Sequence, residues 1–247
     1  MKETSKNLGG RRRFSLMGNL RLFLIKKRER GKKMRLKEAI KRYMYLQHTY
    51  KNDIEWEKGI VLFQCLSIRD RETAEHSLDV ANYSYLLAQK LGLDADRFFL
   101  AGLLHDIGKI DMDDSILKSQ KKLNKFERLV LSEHVIQGTL LLSAMEFGED
   151  IIEYCQRHHE RLNGQGYPYA LSADDVDISI TARIAMIADQ FSAMTNKRKY
   201  RDNNKVFSHQ EALDIMFDEA EQGILDENIL NELASILNID IEQPKFA

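Results

Sequence analysis

A chain of 247 residues with 43% hydrophobic and 30% charged side chains has the make-up of one soluble globular core with a short appendage, and leaves little room for two separate catalytic domains. No apolar run reaches the roughly 18 residues that a membrane helix needs, and no secretory signal is recognisable, so a cytoplasmic protein is expected. The formal charge of -1 conceals an asymmetry: residues 1–42 carry 16 Lys or Arg against three Glu, whereas residues 43–247 carry 21 basic and 35 acidic side chains.

The basic segment, 1–35, places Arg11-Arg12-Arg13 and Lys26-Lys27-Arg28 around the apolar piece Leu20 to Ile25. It reads as a solvated tail, or as an extension upstream of a start at Met34; weak contact with a membrane surface or a nucleic acid is the functional alternative. From Leu36 onward Ala, Leu, Lys and Glu are dense and Pro occurs only at 168 and 244, so residues 36–247 are expected to form one all-α domain. Helices are predicted near 36–50, 53–68, 74–91, 95–108, 125–146, 148–159, 178–195, 208–221 and 226–237, with loops at 160–177 and 196–207. Asn124 with Glu127 and Ser208 with Glu211 fit capping boxes, and Gly92 fits a C-terminal stop. Cys65 and Cys155 lie 90 positions apart in no paired-ligand spacing, which argues for two reduced thiols.

Five of the seven histidines fall between residues 72 and 201, ordered with acidic side chains as Glu72, His76, His105-Asp106, His134, His158-His159 and Asp189. His76, His105 and His134 are separated by steps of 29, His134 and His158 by 24, and His159 and Asp189 by 30. Each step is about one helix out, a turn and one helix back, which returns the ligands to one end of a helical bundle. Separate polar partners for every imidazole would be needed if these were core histidines, since an unpaired buried polar ring costs about 1–3 kcal/mol. A shared cluster for two or more cations accounts for them together. Asp106 has two oxygens with which to bridge such cations. Glu72 and His76, four apart, project from one helix face.

Two cations roughly 3.5–4 Å apart lower the pKa of a bridging water and neutralise phosphate oxygens, so phosphodiester hydrolysis is the natural reaction. Lys109, three residues after Asp106, would stabilise charge on the phosphoryl group or protonate the leaving oxygen; a plain surface lysine is the alternative.

Taken in order, Arg69-Asp70 with Thr73 and His76, Leu104-His105-Asp106-Ile107-Gly108-Lys109, His134 with Gly138, His158-His159-Glu160, Gly164-x-Gly166-Tyr167-Pro168, Ala182-Arg183, Ala188-Asp189, Ala193-Met194-Thr195 and Arg198-x-Tyr200-Arg201 resemble the HD-GYP domain, a branch of the HD phosphohydrolases. The resemblance implies an HD-type helical bundle with a metal centre at its core. It also implies two or three divalent cations, iron or manganese, and hydrolysis of cyclic di-GMP to the linear dinucleotide pGpG and onward to GMP. By the same resemblance His76, His105, Asp106, His134, His158, His159 and Asp189 match the family's metal ligands, and Glu72 matches the extra carboxylate of three-metal members. Arg198 and Arg201 fall where family members contact the nucleotide, as phosphate clamps. Tyr167 and Gly166 on the glycine-hinged loop, together with Tyr200, are set to contact or stack near a guanine, or else are loop-packing residues.

Three positions depart from the family pattern: Asn163 for the usual Asp, and Val135 and Lys199 for the usual Pro. None is a ligand. The alternatives are a phosphohydrolase for another cyclic dinucleotide, such as cyclic GMP-AMP, and a module that binds nucleotide without turnover; the intact ligand set with Lys109 argues against the latter. The chemistry requires no nucleic acid partner. Regulation is expected to enter through the basic segment, the helix from Leu36, a protein partner or metal redox state.

Overall fold

The computed structural model describes residues 30–119, 121–173, 177–196 and 206–239, with side chains from residue 36 onward. The basic segment at 1–29 lies outside the described residues, as do Arg198, Lys199, Tyr200 and Arg201. The helices are α1 (Arg30–Thr49), α2 (Ile54–Arg69), α3 (Arg71–Lys90), α4 (Ala95–Leu104), α5 (Asp114–Leu117), α6 (Lys125–Ala144), α7 (Glu149–Arg157), α8 (Ile180–Thr195), α9 (His209–Glu221) and α10 (Glu227–Leu237), with a 3-10 turn at Ile107–Asp111. Among the described residues the β structure is one isolated antiparallel bridge, Asn163 to Ser172, inside the loop between α7 and α8. No described helix is long and apolar enough to cross a membrane.

Helix starts follow the local chemistry expected of them. Asp53, Asp70, Asp94, Ser179 and Asp226 each accept backbone N–H groups of the first turn that follows. Asn124 with Glu127 and Ser208 with Glu211 form the two reciprocal capping boxes. Gly92, at φ +71°, closes α3 with Leu93 N–H donating to Ala88 O at 2.8 Å.

Helix α3 is the centre of the bundle, packed against α1, α2, α4, α8 and α10. Its Leu78, Val80, Ala81, Leu87 and Ala88 are fully buried, each larger apolar side chain contributing about 1.5–3 kcal/mol by leaving water. The crossing with α4 is close enough that a Cβ on Gly102 would lie 2.6 Å from Ala81 Cα. Arg97 of α4 ties three helices together, donating to Asp150 of α7 at 2.7 and 2.8 Å and to Glu55 of α2.

Two boundaries differ most from expectation, beside a start at Arg71 in place of 74 and an additional short helix, α5. The helix expected from Leu36 starts a turn and a half earlier, at Arg30. The helix expected over 95–108 ends at Leu104, and the chain tightens into the 3-10 turn. Tertiary contact overrides propensity there: Gly108 lies so close to α6 that a Cβ would stand 2.0 Å from His134 O and 2.5 Å from Gly138 N. Arg69 holds the far side of the turn, donating to Ile110 O at 3.1 Å, Met112 O at 2.5 Å and Asp114 Oδ1 at 2.5 Å. Cys155 is buried and Cys65 exposed, both as free thiols.

Candidate metal centre

Five parts of the chain deliver the cluster: His76 from α3, His105 and Asp106 from the turn after α4, His134 from α6, His158 and His159 from the end of α7, and Asp189 from α8. Ligand atoms gather in two groups, His76 with His105 and Asp106, and His134 with His158 and His159, each within 4.8 Å. Asp106 lies between them. Its Oδ2 is 3.3 Å from His105 Nε2 and 3.9 Å from His76 Nε2, while its Oδ1 is 3.2 Å from His134 Nε2 and 3.8 Å from His158 Nε2. Asp189 is the second carboxylate, with Oδ1 2.9 Å from His76 Nε2 and 3.8 Å from His105 Nε2, and Oδ2 3.3 Å from His159 Nδ1.

Three imidazoles are oriented by one repeated device. The Nδ1–H of His105 donates to Gly102 O at 2.8 Å, that of His134 to Leu131 O at 2.5 Å and that of His158 to Cys155 O at 2.7 Å, in each case three residues upstream. A carbonyl only accepts, so each ring is fixed with its proton on Nδ1 and a bare Nε2 lone pair facing the cluster. The Nε2 atoms of His134 and His158 face each other at 3.4 Å. Two facing lone pairs repel, which a cation between them would relieve, and ~3.4 Å is what two nitrogens about 2.1 Å from one ion subtend. His105 Nε2 and Asp106 Oδ1 are fully buried without a hydrogen-bond partner, a cost of about 1–3 kcal/mol each that a bound cation would offset.

Electrostatics favour the same occupant. Burial pushes His134 and His159 down and His158 down to about 3, which keeps the three rings neutral and available as ligands. Burial alone would raise the Asp106 carboxyl, but the Lys109 ammonium and the neighbouring imidazoles hold it well below the usual carboxylate range. At Asp189 burial is likewise outweighed, by His76, His159 and His105. Two ionised carboxylates beside these three neutral imidazoles form a donor set suited to divalent cations of borderline softness.

The remaining site residues take distinct places. Lys109 Nζ lies 2.6 Å from Asp106 Oδ2 at the edge of the cluster. Tyr167, half-exposed, lies over the His159 ring at 4.6 Å between centroids and 37° between planes, and its N–H donates to His159 O at 3.1 Å. Gly166 permits that course, since a Cβ there would be 2.4 Å from Glu160 Cα. Glu72 is exposed in the first turn of α3, and neither three-ligand group includes it.

Several working residues had been visible in the motifs without a role. Glu160 is fully buried and its two oxygens accept from Tyr169 N at 2.7 Å and Leu171 N at 2.9 Å, pinning the loop that carries Tyr167. Arg69 clamps the turn that carries Lys109, and Asp70 caps the helix that carries His76, accepting from Thr73 N at 2.8 Å and Thr73 Oγ1 at 2.7 Å. Of the departures, Asn163 Oδ1 accepts from Gln165 N at 3.1 Å, a turn contact that any Asx oxygen can make. Val135 packs fully buried within α6.

Helices converging on a buried His-Asp centre built from separate elements define an all-helical protein with a site for divalent metals. A family model described as HD domain matches residues 61–229. The chain belongs to the HD-domain family. It is 35% identical over 177 residues to the 3'3'-cGAMP-specific phosphodiesterase 1 of Vibrio cholerae, a match covering 70% of this chain and 40% of the relative. It is 30% identical over 180 residues to a cyclic di-GMP phosphodiesterase of Thermotoga maritima, covering 67% of this chain and 48% of the relative. The chain thus spans less than half the length of these curated relatives. Among solved structures, Bd1817, an HDG"Y"P protein from Bdellovibrio bacteriovorus, superposes with a TM-score of 0.54 at 19% identity, covering 84% of this chain and 70% of that one. The HD domain of the L. monocytogenes phosphodiesterase PgpH gives 0.53 at 18% identity, covering 72% of this chain and 97% of that one.

Proposed function

We propose that this chain is a divalent-metal-dependent phosphodiesterase that opens cyclic di-GMP to linear pGpG, with GMP as the further product. The observation that carries the reading is Asp106, a buried carboxylate with one oxygen toward each group of ligands. His76, His105, Asp106 and Asp189 would hold one cation, and His134, His158 and His159 with Asp106 the other; iron and manganese suit the set. Bound there, the cations supply charge neutralisation for phosphate oxygens and a lowered pKa for water.

The chain's own residues supply the rest. Lys109, beside Asp106 and only slightly exposed, is placed to hold charge on the phosphoryl oxygens or to give a proton to the leaving oxygen. The half-exposed face of Tyr167 offers a platform for a guanine. Arg198, Tyr200 and Arg201 are assigned to the nucleotide by their motif alone, and Glu72 is proposed for a third cation. Residues 36–247 act as the catalytic unit, and the basic segment is dispensable for turnover.

Relatives of both substrate classes support a cyclic dinucleotide as substrate, and the HD domain of PgpH has been solved with cyclic-di-AMP. A second reading, 3'3'-cGAMP as the preferred substrate, is favoured by relatives at 35% and 39% identity named as specific for it. The test is anaerobically purified protein, loaded with Mn²⁺ or Fe²⁺ and given equal cyclic di-GMP and 3'3'-cGAMP, with products followed by chromatography. Faster appearance of pGpG and GMP supports the first reading, and faster loss of 3'3'-cGAMP the second. No cleavage by metal-loaded protein would replace both with a nucleotide-binding module.

A further inference from the structure

His76 breaks the rule that its neighbours obey. His105, His134 and His158 rest Nδ1 on backbone carbonyls, but His76 Nδ1 lies 2.9 Å from Ser192 Oγ, a side chain on another helix. Ser192 is fully buried, and it is itself held. Asn196, one turn further along at the C-terminal end of α8, donates from Nδ2 to Ser192 Oγ at 3.1 Å, to Ser192 O at 2.9 Å and to Asp79 Oδ2 at 2.8 Å. Asp79 stands on α3 three residues after His76, so the four side chains form a closed bracket between two helices. Their exposures are small: Ser192 0%, Asp79 5% and Asn196 7%.

The orientation of the amide follows from charge. Turned the other way, Asn196 would aim its carbonyl oxygen at the Asp79 carboxylate, acceptor against acceptor, in a buried place. With Nδ2 toward Asp79, Asn196 is fixed as donor to Ser192 Oγ. Ser192 Oγ then has a second lone pair as well as its own proton to offer His76 Nδ1, and acceptance by that lone pair is the arrangement that leaves Nε2 free for a cation.

We infer that Ser192, braced by Asn196 and Asp79, is a positioning residue for His76. It accepts the Nδ1 proton and leaves Nε2 bare toward Asp189 and Asp106. A hydroxyl both donates and accepts, whereas a carbonyl only accepts. The tautomer of His76 is therefore set by a replaceable side chain, and the other three are set by the backbone. The inference rests on the metal-dependent reading above, and it assigns the outer support of one group of ligands to a residue outside that group.

Ser192→Ala should weaken cation binding at the His76, His105 and Asp106 group alone, by about 10–100-fold, the usual effect of losing a ligand's outer partner. Metal-stripped full-length protein would be titrated with Mn²⁺ by calorimetry, alongside the thermal midpoint of the stripped form. The expected result is one weakened equivalent, one unchanged equivalent, a stripped midpoint lowered by no more than the loss of a buried hydrogen bond, and recovery in Ser192→Thr, which restores the hydroxyl. Wild-type affinity for both equivalents in Ser192→Ala overturns the inference. Equal weakening of both with a lowered stripped midpoint also overturns it, because that is a folding role. Wild-type protein that takes up no Mn²⁺ and no Fe²⁺ would instead sink the metal-dependent reading itself.

Discussion

The two groups of ligands around Asp106 are built differently. The His134, His158 and His159 group is made of imidazoles that burial keeps neutral, two of them anchored on carbonyls of their own helices. The His76 and His105 group has Asp189 Oδ1 within 2.9 and 3.8 Å, and His76 depends on contacts between α3 and α8. Local backbone fixes two of the three rings in the first half, with His159 set against Asp189, whereas the second half pairs the locally fixed His105 with a ring, His76, held by tertiary packing. The local half should retain its cation through small disturbances of helix packing, and the packed half should be the place where affinity is tuned.

Asp106 joins the halves, so its loss should have the largest effect. Asp106→Ala is expected to reduce cyclic dinucleotide turnover to background and to lower metal content in both groups, read by product chromatography and elemental analysis. If one equivalent stayed at full occupancy, Asp106 would belong to a single half. Lys109→Met comes next, with kcat down by about 10²–10⁴-fold and metal content unchanged; an unaltered kcat would make Lys109 a mere partner of Asp106. Glu160→Ala removes both acceptors for Tyr169 and Leu171 N–H groups and should cost about 1–3 kcal/mol of stability in urea unfolding, together with a higher KM. Equal KM would detach the Tyr167 loop from substrate binding.

Acid sharpens the contrast with the smallest effect. Unfolded, the rings of His134, His158 and His159 take up protons near 6.5, but burial lowers all three in the fold, His158 to about 3. Metal-stripped protein should therefore be most stable above about pH 6.5 and lose stability as pH falls below it, the unfolded chain binding more protons. His105 works in the opposite sense, since Asp106 and Asp189 outweigh its burial and raise it. Three lowered rings against one raised ring give a net fall, measurable as the thermal midpoint between pH 7 and 5.

The local half of the centre was also the more legible in sequence. The capping boxes at Asn124 and Ser208 and the stop at Gly92 depend on residues within a few positions of one another. The end of α4 did not show, because helix propensity continues through Ile107 and the contact of Gly108 with α6 joins positions distant in sequence. Glu160 and Arg69 stood in recognisable motifs, but their partners at 169, 171, 110 and 112 are fixed only by the fold. Ser192 gave no signal at all, since its partner His76 is 116 residues away. Glu72 matched by spacing from His76, yet four residues on a helix only place two side chains on one face and do not bring the carboxylate into either group.

The most direct test is the electron paramagnetic resonance of the full chain loaded with two equivalents of Mn²⁺. If Asp106 bridges the two groups, the spectrum is that of a magnetically coupled pair, and Asp106→Ala abolishes the coupling. The six-line spectrum of isolated ions in the wild type, or uptake of no more than one ion per chain, would contradict a shared two-cation centre.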